Sequence, residues 1–233
     1  MAGVFRQPHE IGSGARNAKD RPVSATPKPP WQNPSLPAFW DHRFKGGATP
    51  WDAGRVPEQL REFARRQERS LRTLVPGCGS GWEVRALAEA GWDVTGLDFS
   101  AEAIAAARAT VGSCAGRLVL GDFFAFDPGA PFEVICERTF LCAMPRRLWP
   151  DYAARAAALL VPGGVLAGYF YFADEPKGPP FGTSPAALHA LLDPFFALEA
   201  DREVGDSIPM FRGRERWQVW RRRDDVLPPI PAH

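Results

Sequence analysis

The sequence predicts an α/β fold, a mostly parallel seven-stranded sheet with helices on both faces. Three observations predict it. Short apolar runs alternate with helical stretches along most of the 233 residues. The first run passes directly into a glycine-rich loop and then a helix, Val75-Pro76-Gly77-Cys78-Gly79-Ser80-Gly81. The second run ends on an acidic residue, Asp98.

The elements follow in chain order. Val56–Arg66 reads as a helix with Pro57 near its start. Leu71–Val75 is a buried strand signal ending in Pro-Gly. Glu83–Ala90 is a helix stopped at Gly91, and Asp93–Leu97 is the second strand. Ser100 is an N-cap candidate for the Ala-rich helix Ala101–Thr110. Leu118–Leu120 and Phe132–Cys136 are strands three and four. The helix Trp149–Leu160 is expected to stop at Pro162-Gly163-Gly164, followed by strand Val165–Phe172. Helix Pro185–Leu192 and strands Ala197–Val204 and Trp217–Arg221 complete the domain, which runs over residues 31–223.

Both ends differ from this pattern. Residues 1–30 mix Gly, Ser, Pro, Lys and Arg with few large apolar side chains and read as a disordered tail; residues 224–233 read as a second, Pro-rich tail. Residues 31–57 carry Trp31, Phe39, Trp40, Phe44 and Trp51 in a short stretch containing Pro and Gly. Such an aromatic load fits either an arm packed on the core or a lid over a ligand.

Composition narrows the function classes. A formal net charge of +1 gives no electrostatic reason to expect nucleic acid or an anionic membrane as partner. No apolar run reaches membrane-spanning length, and the N-terminus shows no signal-peptide core, so a cytoplasmic protein is expected; it is also expected to be a monomer. Cys78, Cys114, Cys136 and Cys142 form no C-x-x-C pair, and His9, His42, His189 and His233 are scattered, so reduced thiols and no metal site are expected.

The glycine loop carries the first functional signal. Gly77 and Gly79 let the backbone turn sharply and approach a ligand closely. Asp98, about 20 residues on, stands where a carboxylate accepts ribose hydroxyls. The spacing is G-x-G-x-G, with Trp82 where a dinucleotide loop has its third glycine. That argues against a pyrophosphate and for S-adenosylmethionine, which has no phosphate to seat. After the third strand, Asp122 can accept the adenine amino group and Phe123 can stack on the ring; the plain alternative for Asp122 is a loop or N-cap residue.

At these residues the chain resembles a Rossmann-like class I methyltransferase, and more narrowly the thiopurine S-methyltransferase family with its thiol and halide branch. The likeness is carried by Thr49-Pro50-Trp51-Asp52-Ala53-Gly54-Arg55, Leu74–Gly79, Glu137–Ala143, Leu160–Gly164 and Gly178-Pro179-Pro180-Phe181, and spans about residues 39–222. The resemblance implies that Trp40 and Trp51 help enclose the cofactor. It places Phe44 where the family often has another Trp. It supports the roles argued for Gly77, Asp98, Asp122 and Phe123. Arg138 stands where the thiopurine enzymes have Arg and where thiol and halide relatives often have Tyr.

The implied reaction is in-line displacement at the sulfonium methyl by a small soft nucleophile, such as a thiol, a thiopurine-like heterocycle, halide or thiocyanate. A thiolate or halide needs no dedicated base, and none is evident in the sequence. Arg138 either guides an anionic nucleophile or the cofactor, or pairs with a nearby acid at a strand end. Phe140, Phe181 and Met210 are candidates for the substrate pocket or for plain core. The run Arg212–Arg216 reads as a solvated turn. An O- or N-methyltransferase and a non-catalytic cofactor-binding module are the competing readings.

Overall fold

The structure is a computed structural model and describes residues 29–113 and 117–224. The expected tails fall outside that range apart from Pro29, Pro30 and Asp224, as do Cys114, His9 and His233. The strands are β1 (Arg72–Pro76), β2 (Asp93–Asp98), β3 (Arg117–Leu120), β4 (Phe132–Arg138), β5 (Leu160–Tyr171), β6 (Phe196–Glu203) and β7 (Glu215–Arg222). The helices are α1 (Pro37–Lys45), α2 (Glu58–Arg65), α3 (Trp82–Glu89), α4 (Ala101–Val111), α5 (Trp149–Leu159) and α6 (Pro185–Leu192).

These strands form one seven-stranded sheet in the order β3-β2-β1-β4-β5-β7-β6. The first five in that order are parallel, and β7 runs antiparallel to β5 and to β6. Parallel strands need crossovers, and the helices between them cover both faces. Alternate residues therefore enter two cores. Val75, Val134, Cys136, Val165 and Tyr169 join the core beneath α2, α3 and α4. Leu74, Ile135, Leu166 and Phe170 join the core beneath α5 and α6.

Local chemistry starts two helices, at Ser100 as expected and at Ser184 in the same way. The Ser100 hydroxyl accepts the Ala103 N–H at 3.1 Å, and the Ser184 hydroxyl accepts the Ala187 N–H at 3.2 Å. Two features depart from expectation. Residues Pro37–Lys45 form α1, with Pro37 in the first turn and Gly46 at its end. Pro162-Gly163-Gly164 lies inside β5 instead of before it. The pairing explains this. Phe132 faces Leu160 and Val134 faces Val165, so the β5 side carries extra residues in a bulge, and Gly163 takes the left-handed φ of 70° that such a bend favours.

The topology places a crevice. Strand β1 has β2 on one side and β4 on the other. The chain reverses its direction of build at β1, so the loops leaving β1, β2 and β4 splay around an opening at their carboxyl ends.

Candidate active site

A cavity of about 360 Å³ occupies that opening. Its floor is the loop after β1. Gly77 has φ of 58° and Gly79 has φ of 51°, both left-handed. Asp98, at the end of β2, is 8% exposed. Its Oδ2 accepts the Gly79 N–H at 3.0 Å and its Oδ1 accepts the Ser100 N–H at 2.9 Å. Each oxygen keeps a lone pair for a further donor. Burial pushes the carboxyl up to about 6; the two N–H donors oppose this, and the Asp41 carboxylate adds to it.

Strand β3 leads into the next part of the wall. Asp122 is exposed and accepts the Phe124 N–H at 3.0 Å, the local turn that short acidic side chains favour. Phe123 is 3% exposed, with its ring 5.2 Å from Phe140 and 5.7 Å from Tyr152. Phe123 therefore belongs to the core and to the cavity wall at once. Phe99 and Phe124 join the wall as well. Each directly follows a residue singled out from sequence, and that adjacency was the available signal.

The loop after β4 is built on Glu137. This carboxyl is 1% exposed and accepts the N–H groups of Phe140 at 2.9 Å and Leu141 at 3.1 Å, and the Tyr152 hydroxyl at 2.8 Å. Burial raises its pKa, and these three donors pull it back. The clamp holds a tight turn in which Thr139, on the cavity wall, has φ of 57°. The same turn brings Phe140 onto the wall.

The aromatic segment crosses the mouth. Trp40, Arg43, Phe44 and Trp51 line the cavity, with Trp51 5.6 Å from Trp40 and 6.1 Å from Phe44 in edge-to-face pairs. The indole N–H of Trp40 donates to the Pro34 carbonyl at 2.9 Å. Helix α1 is tied down from its other flank. Asp41 Oδ1 accepts the Ser100 hydroxyl at 2.6 Å and the Glu102 N–H at 3.2 Å, and Lys45 pairs with Glu102 at 3.1 Å. A carboxylate at the start of α4 is favoured by the helix dipole.

Not every candidate residue reaches the cavity. Arg138 does not line it. Strand parity sends Arg138 with Val134 and Cys136 to the α2–α4 face, where it pairs with Glu83 at 3.0 Å, donates to the Arg55 carbonyl at 3.4 Å and lies over the Tyr169 ring. The ion-pair alternative is the one present. Phe181 also turns away: its N–H donates to the Cys142 carbonyl at 2.7 Å and its ring packs on the α5–α6 core, while Pro179 and Pro180 take the wall. Met210 does line the cavity, beside Phe211. The run Arg212–Arg216 is only partly a turn, because β7 begins at Glu215, which is 6% exposed, and Arg216 pairs with Asp201 at 2.5 Å.

A family model described as thiopurine S-methyltransferase matches residues 36–226. The chain belongs to the thiopurine S-methyltransferase family. As a member it is a methyltransferase whose methyl donor is S-adenosylmethionine. It is similar to a probable thiol methyltransferase 2 of Arabidopsis thaliana, 31% identical over 193 residues that cover 78% of this chain and 84% of the relative. Thiocyanate methyltransferase 1 of the same plant is 32% identical over 190 residues, with the same coverage. A thiopurine S-methyltransferase of Xanthomonas campestris is 28% identical over 197 residues, covering 75% of this chain and 90% of the relative. Among solved structures, the 1,6-didemethyltoxoflavin-N1-methyltransferase of Burkholderia thailandensis shares the fold, with a TM-score of 0.68, 20% identity, and 87% and 94% of the two chains covered.

The residues present fit that donor. Asp98 offers spare acceptors, Gly77 leaves the floor without a side chain, and Trp40, Phe44 and Trp51 line the cavity with aromatic rings, a side-chain type that attracts a cation such as a sulfonium.

Proposed function

We propose that this thiopurine S-methyltransferase family member methylates a small thiol, thiopurine-like, thiocyanate or halide acceptor. One observation carries the reading: among the described residues, the walls from the loops after β4 and β5 and before β7 are mostly apolar and include Cys142, Met144, Pro179, Pro180, Met210 and Phe211, with Thr139 and Arg147 the polar side chains there, and no histidine lines the cavity. Soft apolar side chains suit a polarizable nucleophile. Burial pushes the Cys142 thiol up, so it stays protonated and is no base. A hydroxyl or amine acceptor would need a base at the methyl group. The carboxylates on the wall, Asp98 and Asp122, come from the β2 and β3 ends instead.

In this reading Asp98 holds the ribose hydroxyls and Asp122 the adenine amino group, with Phe123 and Phe99 beside the ring. Trp40, Phe44 and Trp51 close over the site and exclude water. When bound, S-adenosylmethionine supplies an electrophilic methyl on a cationic sulfur. The cavity walls align the acceptor in line with it. The chain is further proposed to act as a cytoplasmic monomer; its buried free thiols Cys78, Cys136 and Cys142 suit a reducing compartment.

The test is the pH dependence of kcat/KM with thiols of different acidity and with iodide. With no enzyme base, the thiol profiles should follow each thiol's own pKa, and the iodide profile should be flat above pH 6. A single profile shared by all acceptors would point to an enzyme base and contradict the proposal.

A further inference from the structure

We infer that Arg43 binds the carboxylate at the amino-acid end of the methyl donor, an inference that rests on the cofactor assignment above. Trp40, Arg43 and Phe44 stand at i, i+3 and i+4 on α1, share one helix face, and all line the cavity. The Arg43 guanidinium is half-buried, 4.5 Å from the Phe39 ring centre and 6.0 Å from that of Trp51. These ring contacts limit the freedom of the side chain before a ligand arrives. Among the described residues it has no acidic partner, whereas the neighbouring charges on α1 are used: Asp41 on Ser100 and Lys45 on Glu102.

The donor brings the matching charge. A carboxylate entering a largely apolar cavity requires a cation or several N–H donors. The cavity's own acids, Asp98 and Asp122, would repel it. Its other cation, Arg147, is exposed and already donates to the Ser35 hydroxyl at 2.9 Å. Arg43 is the better placed. One position along, the Phe44 ring comes within 3.7 Å of where a Cβ on Gly79 would lie, so this face of α1 sits over the glycine loop. A guanidinium fork there matches a carboxylate with two parallel hydrogen bonds.

The test compares two ligands by calorimetry on the full chain: S-adenosylhomocysteine, and 5′-deoxy-5′-methylthioadenosine, which keeps the nucleoside and thioether but lacks the amino acid. In Arg43→Leu, S-adenosylhomocysteine should bind about tenfold or more weakly, with the methylthio nucleoside unchanged. Arg43→Lys, which keeps the charge but loses the fork, should recover part of the loss. Equal weakening of both ligands would overturn the inference and make Arg43 a brace for the arm. Unchanged S-adenosylhomocysteine binding with a raised KM for thiocyanate would overturn it too, assigning Arg43 to an anionic acceptor. A wild-type chain that bound neither ligand would remove the cofactor assignment itself.

Discussion

Phe140 lies against Gly77 so closely that a Cβ on Gly77 would fall 2.3 Å from Phe140 Cδ2. The loop after β1 and the turn after β4 are thus interlocked on the cavity floor. Gly77→Ala adds a methyl group there and places a side chain at a left-handed φ of 58°. We expect a loss of about 2–4 kcal/mol from strain and overpacking together. Chemical denaturation measures it, and a variant as stable as wild type would show that the turn yields freely.

Glu137 holds the other half of that interlock. Replacing it with Ala leaves the Phe140 and Leu141 N–H groups and the Tyr152 hydroxyl without their acceptor. The expected cost is about 2–4 kcal/mol. A double-mutant cycle with Tyr152→Phe should show clear coupling between the two residues, and strict additivity would contradict the clamp.

Asp98 sets a pH dependence. Its carboxyl is raised from the ordinary 3.8 to about 6, chiefly by burial. In the ligand-free protein the raised value means that ionisation costs stability, a cost that grows as pH rises through that window. Ligand binding has the opposite sign, because ribose hydroxyls need the ionised form. S-adenosylhomocysteine affinity should be flat above pH 6 and fall below it, with proton release on binding near pH 5. Asp98→Ala should weaken binding by about 1.5–3 kcal/mol and abolish this dependence. An unchanged affinity in that variant would remove the ribose assignment.

Arg138 is expected to matter for stability and not for the cofactor. Its pair with Glu83 has side chains only 8% and 12% exposed. Arg138→Ala strands the Glu83 carboxylate, at a cost of about 3–5 kcal/mol. Arg138→Met combined with Glu83→Leu should recover most of it. S-adenosylhomocysteine affinity should stay near wild type in the double variant, and a large loss would put Arg138 back in the site.

The sheet was legible because its strands are apolar runs broken by turn residues, and Asp98 because it ends one of them. The same burial on both faces hid which residues of β4 meet the cavity. With no polar alternation, nothing in the sequence tells Glu137, which clamps the turn, from Arg138, which leaves it. Helix α1 was illegible for another reason. Its aromatic residues form no single stripe, since Trp40 and Phe44 face the cavity while Phe39 is buried, and tertiary bonds through Asp41 hold it. The sequence left Phe181 between pocket and core because a loop's side-chain direction depends on one backbone contact, here with the Cys142 carbonyl.

The central claim is methyl transfer to a soft acceptor, and one measurement addresses it most directly. Methyl-labelled S-adenosylmethionine is supplied to the purified chain with a panel of thiols, thiopurines, thiocyanate and iodide, alongside hydroxyl and amine acceptors of similar size. We expect label on at least one sulfur or halide acceptor and none on oxygen or nitrogen. Label on the hydroxyl or amine compounds alone would contradict the account.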